Sequence, residues 1–308
     1  MKKSSKIFVA GHRGMVGSAI VRELQKQGYQ NIITKSRSEL DLIDQKAVAD
    51  FFAKEKPEFV FLAAAKVGGI EANRKHQASF LYDNSQIQNN VIHNSHLNSV
   101  KRLVFLGSSC IYPRNCPQPM KEESILTAPL EPTNYGYAIA KISGVKMCEA
   151  YRDEFGCDFV PLMPANLYGI NDNFDLNSSH FLPAMIRKIH EAKTNNKPFV
   201  ELWGTGNPTR ELLYVDDLAQ AVVFVMNNEN IKDLTNIGTG IDFTIKEFAQ
   251  TVKEVVGYQG EIKFDSSKPD GAPKKCCDVS KINSFGWRAQ TPLKDGIHTV
   301  YQWYMNNS

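Results

Sequence analysis

The chain has 308 residues, 42% of them hydrophobic and 22% charged, with 20 glycines and 14 prolines. That composition excludes collagen-like, coiled-coil and wholly disordered chains, and a chain near this length buries roughly 75% of its unfolded surface, ample for a core without disulfide or metal staples. The 36 basic and 33 acidic residues leave a net charge of +3, too weak an imbalance for a dedicated nucleic-acid or anionic-membrane binder.

Lys6-Ile7-Phe8-Val9-Ala10 reads as a buried strand, and residues 16–27 as a helix with Gly28 just past its end. Strands are expected at 32–34, 59–63, 102–107 and 159–163, and helices at 47–54, 78–97 and 137–155. This alternation predicts an α/β fold, a Rossmann-type doubly wound parallel sheet with helices on both faces. After Pro164 the pattern loosens. A polar stretch at 169–179 leads to helices at 183–194, 216–226 and 245–256, a short strand at 200–202, and a last helix near 293–304. Phe248, Val252 and Val255 share one face of the helix at 245–256, the spacing of a packing face. Pro269-Asp270-Gly271 signals a turn. The expected division is a dinucleotide-binding domain at 1–165, with contributions from about 210–240, and a smaller, irregular substrate lobe at 166–308.

The six cysteines form no C-x-x-C pair and no zinc-type spacing, so no metal site is expected. The apolar run behind the basic start is cut at Gly11, too short for a signal segment. No run approaches the ~20 residues that span a bilayer. The expected setting is reduced and cytoplasmic.

Gly11-His12-Arg13-Gly14-Met15-Val16-Gly17 has the form G-x-x-G-x-x-G between a strand and a helix. In that context glycines turn the chain, let a diphosphate approach the backbone, and let the helix pack close to the sheet. The helix start then offers free N–H groups to the phosphates. His12 reads as a fold or cofactor-shell residue. A carboxylate for a ribose 2′-hydroxyl usually follows the second strand. Here the chain reads Thr34-Lys35-Ser36-Arg37-Ser38, with none before Glu39. Arg37 with Arg13 suits a 2′-phosphate, which points to NADP(H). Tyr137-Ala138-Ile139-Ala140-Lys141 is Y-x-x-x-K on a helix, placing both side chains on one face. An ammonium there is expected to lower the tyrosine's pKa and fit it for proton transfer. Ser108, in Leu106-Gly107-Ser108-Ser109-Cys110-Ile111-Tyr112, falls at a strand end, on the edge where such sheets bind ligands.

Together these motifs resemble the extended short-chain dehydrogenase/reductase superfamily. Within it, Ala63-Ala-Ala-Lys-Val-Gly-Gly69, Gly107-Ser-Ser-Cys-Ile-Tyr-Pro113, Glu131-Pro-Thr-Asn134, Asp172-Asn-Phe174 and Ser267-Lys-Pro-Asp-Gly271 resemble the GDP-L-fucose synthase family, from Lys6 to about Trp303. The resemblance implies an NADPH-dependent epimerase-reductase acting on GDP-4-keto-6-deoxy-D-mannose. It implies catalytic roles for Ser108, Cys110, Tyr137, Lys141 and His180. Implied cofactor contacts are Gly11 to Gly17, Arg37, Asp41, Leu42, Ala63, Ala65, Leu106, Gly107, Lys141, Pro164, Ala165, Asn166, Leu167 and His180. Implied contacts to the GDP-sugar are Lys188, where some relatives carry arginine, Trp203, Arg210 and Asp270. A homodimer through the helices at 78–97 and 137–155 is the implied assembly. A GDP-colitose synthase, epimerising C5 only, would carry nearly the same residues. A C4 epimerase with bound NAD would lack the Cys/His pair, and a non-catalytic relative would lose the Tyr/Lys pair. Without the resemblance, Cys110 reads as a small buried hydrophobe and His180 as a helix cap.

Overall fold

The computed structural model describes residues 1–176, 178–268, 270 and 272–307. Four consecutive apolar residues form the wholly buried strand β1 (Ile7–Ala10). There follow α1 (Met15–Lys26), β2 (Ile32–Ile33), α2 (Gln45–Glu55), β3 (Phe59–Leu62), α3 (Ile70–Lys75), α4 (Gln77–Leu97), β4 (Arg102–Leu106), α5 (Tyr135–Phe155) and β5 (Phe159–Pro164). The second half carries β6 (Asn166–Tyr168), α6 (Phe181–Thr194), β7 (Phe199–Trp203), β8 (Thr209–Tyr214), α7 (Val215–Met226), β9 (Thr235–Ile237), β10 (Asp242–Thr244), α8 (Ile245–Val256), β11 (Glu261–Asp265), β12 (Lys274–Lys275), α9 (Ser280–Ser284) and α10 (Leu293–Asn307).

Six strands make one all-parallel sheet in the order β2-β1-β3-β4-β5-β9. The expected Rossmann-type sheet is therefore present. The order reverses between β1 and β3, so right-handed crossovers send α1 to one face and α2, α4 and α5 to the other. α1 packs with α7, and α4 packs with both α2 and α5. Because every strand runs the same way, all their C-terminal ends share one edge, and the crevice at the reversal is where open α/β sheets take ligands.

The pattern after Pro164 hid more strand than it revealed. β8 is the hub of a second sheet, pairing with β10 antiparallel and with β6 and β12 in parallel. β7 and β11 pair separately. These strands are two to six residues long, too short to carry a periodicity of their own. Leu213 on β8 joins the core around the large sheet, while its neighbours Leu212 and Tyr214 join a second core beneath α6, α8 and α10. Period-two alternation thus lets one strand serve two cores. In α8 the buried face is Phe248, Ala249, Val252 and Val256, with Val255 at its margin. Pro269 and Gly271 of the expected turn lie outside the described residues.

Candidate active site at the strand ends

The glycine turn closes β1 against α1. Gly11 adopts φ +89°, and a Cβ there would lie 2.7 Å from the Ala64 nitrogen. A Cβ on Gly17 would lie 2.1 Å from the Gly11 carbonyl oxygen, so that glycine sets the helix-to-strand approach. Gly14 is different: its nearest neighbour would be 3.5 Å away. It caps α1 without a side-chain bond, and the first turn holds no acidic residue. The N–H groups at that helix start are left for a ligand, as a diphosphate requires. His12 lies in the same turn with its Nδ1 buried and without a hydrogen-bond partner.

Beyond β2, the Glu39 carboxylate is turned back on its own loop. It accepts from the Ser36 backbone N–H at 2.8 Å and from the Ser36 hydroxyl at 2.5 Å, and these bonds hold its pKa below the usual range. It is not offered to a ribose. The Arg37 side chain is 78% exposed, with its Nε 3.5 Å from Asp41. Arg13 lies near enough to Glu39 for its charge to be felt there. The residues present therefore fit a dinucleotide bearing a 2′-phosphate. Asp41 steadies the next turn by accepting from the Ile43 N–H at 3.1 Å, and Asn90 of α4 donates to the Leu42 carbonyl at 2.9 Å. Ala63 bonds back to Ala10 at 3.1 Å, and the loop through Ala65 is held by reciprocal Lys66–Asn84 bonds of 2.8 and 3.0 Å.

Leu106 and Gly107 lead from β4 to Ser108, whose hydroxyl accepts from the Cys110 backbone N–H at 3.4 Å. It lies within hydrogen-bonding reach of the Cys110 thiol and the Tyr137 hydroxyl. Lys141, one turn along α5 from Tyr137, is only 4% exposed. Its ammonium donates to the Leu106 carbonyl at 2.7 Å and lies 4.9 Å from the Phe105 ring centroid and 5.9 Å from that of Tyr137. Ser108, Cys110, Tyr137 and Lys141 thus meet at one place. Burial pushes Lys141 down to about 8. Burial also pushes Tyr137 well above its ordinary value. This corrects the expected lowering: desolvation and the neighbouring Cys110 outweigh the Ser108 hydrogen bond, and the tyrosine holds its proton firmly. Burial likewise raises Cys110, against smaller opposing effects of Ser108, Lys275 and Lys141.

His180 is the residue capping the start of α6, but its side chain makes no cap bond. The ring is open to solvent, yet it stands inside the cleft walls, whose bulk lowers its basicity. A bond of 3.2 Å from the Gly69 N–H to the Ser178 carbonyl ties the segment before His180 to the loop after β3. Pro164 to Leu167 is the crossing from the large sheet to β6. Ala165 bonds to Ile237 at 2.8 Å, and Asn166 is exposed.

Trp203 is 67% exposed. The Lys188 and Lys268 ammoniums lie 5.9 and 5.7 Å from its ring centroid. Half-buried Arg210 donates to the Thr209 and Ala272 carbonyls at 2.7 and 2.6 Å. Asp270 accepts from the Thr205 N–H and hydroxyl at 2.9 and 2.7 Å, which lowers its pKa, and its charge reaches Arg210. Sequence reasoning missed Lys268 and Lys275. It also missed Asp172, pushed up to about 6 by burial, and Asn134, whose Oδ1 is buried without a partner just before α5. The Asp-Asn-Phe and Glu-Pro-Thr-Asn motifs were the available signals for the last two.

A parallel sheet whose ligand edge gathers a glycine turn, a serine and a Y-x-x-x-K helix defines a nucleotide-dependent dehydrogenase or reductase. The chain belongs to the NAD dependent epimerase/dehydratase family, whose model matches residues 7–238. It is 56% identical over 307 residues to the putative GDP-L-fucose synthase 2 of Arabidopsis thaliana, covering all of this chain and 94% of that one. It is 49% identical over 311 residues to the GDP-L-fucose synthase of Escherichia coli (strain K12), covering 98% and 97%. Among solved structures, the GDP-mannoheptose C4 reductase of Campylobacter jejuni, solved with NADP bound, superimposes with a TM-score of 0.91 at 43% identity, covering 99% of each chain. Among the described residues no helix is long and apolar enough to cross a membrane, and no group of three or more His, Cys, Asp or Glu could hold a metal. All six cysteines are free.

Proposed function

We propose that the chain converts GDP-4-keto-6-deoxy-D-mannose to GDP-L-fucose, epimerising C3 and C5 and reducing the C4 ketone. The observation that carries this reading is the meeting of Ser108, Cys110, Tyr137 and Lys141 at the end of β4, in a chain about half identical to two GDP-L-fucose synthases.

NADPH, when bound, supplies the hydride for C4. Gly11 to Gly17 and the start of α1 hold its diphosphate, and Arg13 and Arg37 its 2′-phosphate. Asp41, Leu42, Ala63, Ala65, Leu106 and Gly107 line the strand ends beside it. Lys141, Pro164 to Leu167 and His180 surround the nicotinamide end. Lys188, Trp203, Arg210 and Asp270 take the GDP-sugar, with Arg210 suited to a diphosphate because its fork bonds two oxygens at once.

The ketone acidifies the hydrogens on C3 and C5. One of Cys110 and His180 takes such a proton, the C–H electron pair moving into the enolate, and the other returns a proton to the opposite face. The free protein suits this: burial raises the thiol pKa, favouring a thiol that has its proton to give, and the cleft walls lower the basicity of the imidazole. Ser108 and Tyr137 donate to the enolate oxygen, and Tyr137 protonates the alkoxide after reduction. A hydroxyl that keeps its proton until charge develops on the sugar oxygen suits that role.

We also read residues 1–165, with β8, α7 and β9, as the cofactor half and the remainder as the substrate lobe, and place the enzyme in the cytoplasm. A homodimer through α4 and α5 is supported by Leu81, Tyr82 and Leu97 on α4 and Phe155 on α5, all exposed. Sedimentation velocity tests the dimer.

The function is tested by turning over GDP-4-keto-6-deoxy-mannose with NADPH in D2O and locating deuterium by NMR. Label at both C3 and C5 of a fucose product is expected. NADPH oxidation without label would leave a plain C4 reductase, and label at C5 alone would indicate the colitose-type reaction.

A further inference from the structure

The helix that carries Tyr137 and Lys141 starts without a side-chain cap of its own. Asn134, in the capping place before α5, makes no such bond, and Tyr135 and Gly136 are the first two residues of the helix. The N–H of Gly136 is one of the first-turn donors that a helix cannot satisfy from within. Its partner comes from another element. Gln77, the first residue of α4, accepts from the Gly136 N–H at 3.0 Å through Oε1 and donates through Nε2 to the Pro132 carbonyl at 2.9 Å. One amide thus holds both the turn at Pro132–Asn134 that enters α5 and the first turn of the helix itself. The two backbones meet closely there: a Cβ on Gly136 would lie 2.5 Å from the Gln77 carbonyl oxygen. Three residues further along α4, buried Phe80 sets its ring at 84° to that of Tyr137, with centroids 6.3 Å apart, an edge-to-face contact. The start of α4 therefore grips the residue before Tyr137 by its backbone and Tyr137 itself by its ring.

We propose that Gln77 is a positioning residue for Tyr137, its bridging amide fixing the start of α5 so that the tyrosine hydroxyl is aimed at the C4 oxygen of the sugar. The proposal rests on the reading of Tyr137 as the acid that protonates that oxygen. Gln77 is itself only half-buried. Water can therefore take over both of its bonds at small cost to the fold, but water does not fix an angle. A reacting group about 1 Å out of place slows a reaction about 10²-fold, and helix ends are where a helix frays. Lys141 lies one turn deeper and is tied to the Leu106 carbonyl, so the cofactor's hold on α5 does not depend on the amide. The sequence separates Gln77 from Gly136 by 59 positions, and only the packing of α4 on α5 brings the clamp together.

The test is single-turnover oxidation of NADPH by GDP-4-keto-6-deoxy-mannose in Q77M, which keeps the length of the side chain and loses the amide. The rate should fall by about 10–100-fold, with KM for the sugar nucleotide and Kd for NADPH unchanged. In the Y137F background the same substitution should have no further effect, because a residue that acts through the hydroxyl then has nothing left to aim. Amide hydrogen exchange at Gly136 reads the clamp directly: it should be slow in the wild type and faster in Q77M. A Q77M rate equal to wild type overturns the proposal. So does an equal loss in the Y137F background, which would make Gln77 a support of the fold alone. A Gly136 N–H that exchanges freely in the wild type overturns it without any variant. Failure of the wider reading looks different: Y137F itself would oxidise NADPH at the wild-type rate, whatever Q77M does.

Discussion

The Lys141 ammonium donates to the Leu106 carbonyl at 2.7 Å, joining the second turn of helix α5 to the end of the central strand β4. The bond is made in a nearly dry place, and the lysine's pKa falls to about 8 as a result. Its folded value lies below its unfolded one, so the folded state sheds the proton first. Below about pH 8 the desolvation cost is constant. From there to 10.5 it is relieved, and stability from this group rises with pH. Ligand-free wild type should therefore gain on K141M across that window, by at most about 3 kcal/mol. Urea unfolding of both proteins at pH 7, 8.5 and 10 measures it, and a difference independent of pH refutes the assignment.

Tyr137 separates the two halves of the proposed reaction. Y137F should cut NADPH oxidation by about 10²–10⁴-fold, the usual worth of a general acid. Solvent deuterium exchange into the keto-sugar should fall less, since Ser108 remains to bond the enolate oxygen. Equal losses in both assays would mean that the tyrosine serves the enolate as much as the alkoxide.

Gly14 and Gly17 are three residues apart and glycine for different reasons. G17A drives a methyl into the Gly11 carbonyl and should lower stability by several kcal/mol, in the range of severe backbone and overpacking clashes. G14A meets nothing closer than 3.5 Å at a φ of −77° and should leave the melting temperature nearly unchanged while weakening NADPH binding. Thermal melts with and without NADPH distinguish the two; a large loss of stability in ligand-free G14A would contradict this reading.

Arg37 is the exposed cation opposite the inward-turned Glu39. R37A should raise the Kd for NADPH by about 10–100-fold, the worth of one charge-assisted bond, and leave NADH binding unaffected. A parallel loss for both nucleotides would remove Arg37 from the 2′-phosphate site.

Much of the cofactor half was legible because its signals are local. A strand, three spaced glycines and a helix follow one another within residues 7–26, and Tyr137 and Lys141 need only one turn of helix. The pKa of Tyr137 was misjudged because a helical wheel shows the ammonium but not the missing water. The lobe was harder for a related reason. β12 is two residues long, and its meaning comes from Arg210, 65 positions earlier. Lys275 carries no mark in the sequence that separates it from Lys274. Only strand pairing gives one an aspartate and sets the other in register with Arg210.

Trp203 gives the molecule an optical consequence. Trp287 is 7% exposed and Trp303 stacks on Phe174, so both emit from protein surroundings. Trp203, 67% exposed, emits from water beside two ammoniums. Its red-edge fluorescence is a natural gauge of what occupies the lobe, readable during turnover without dye or label.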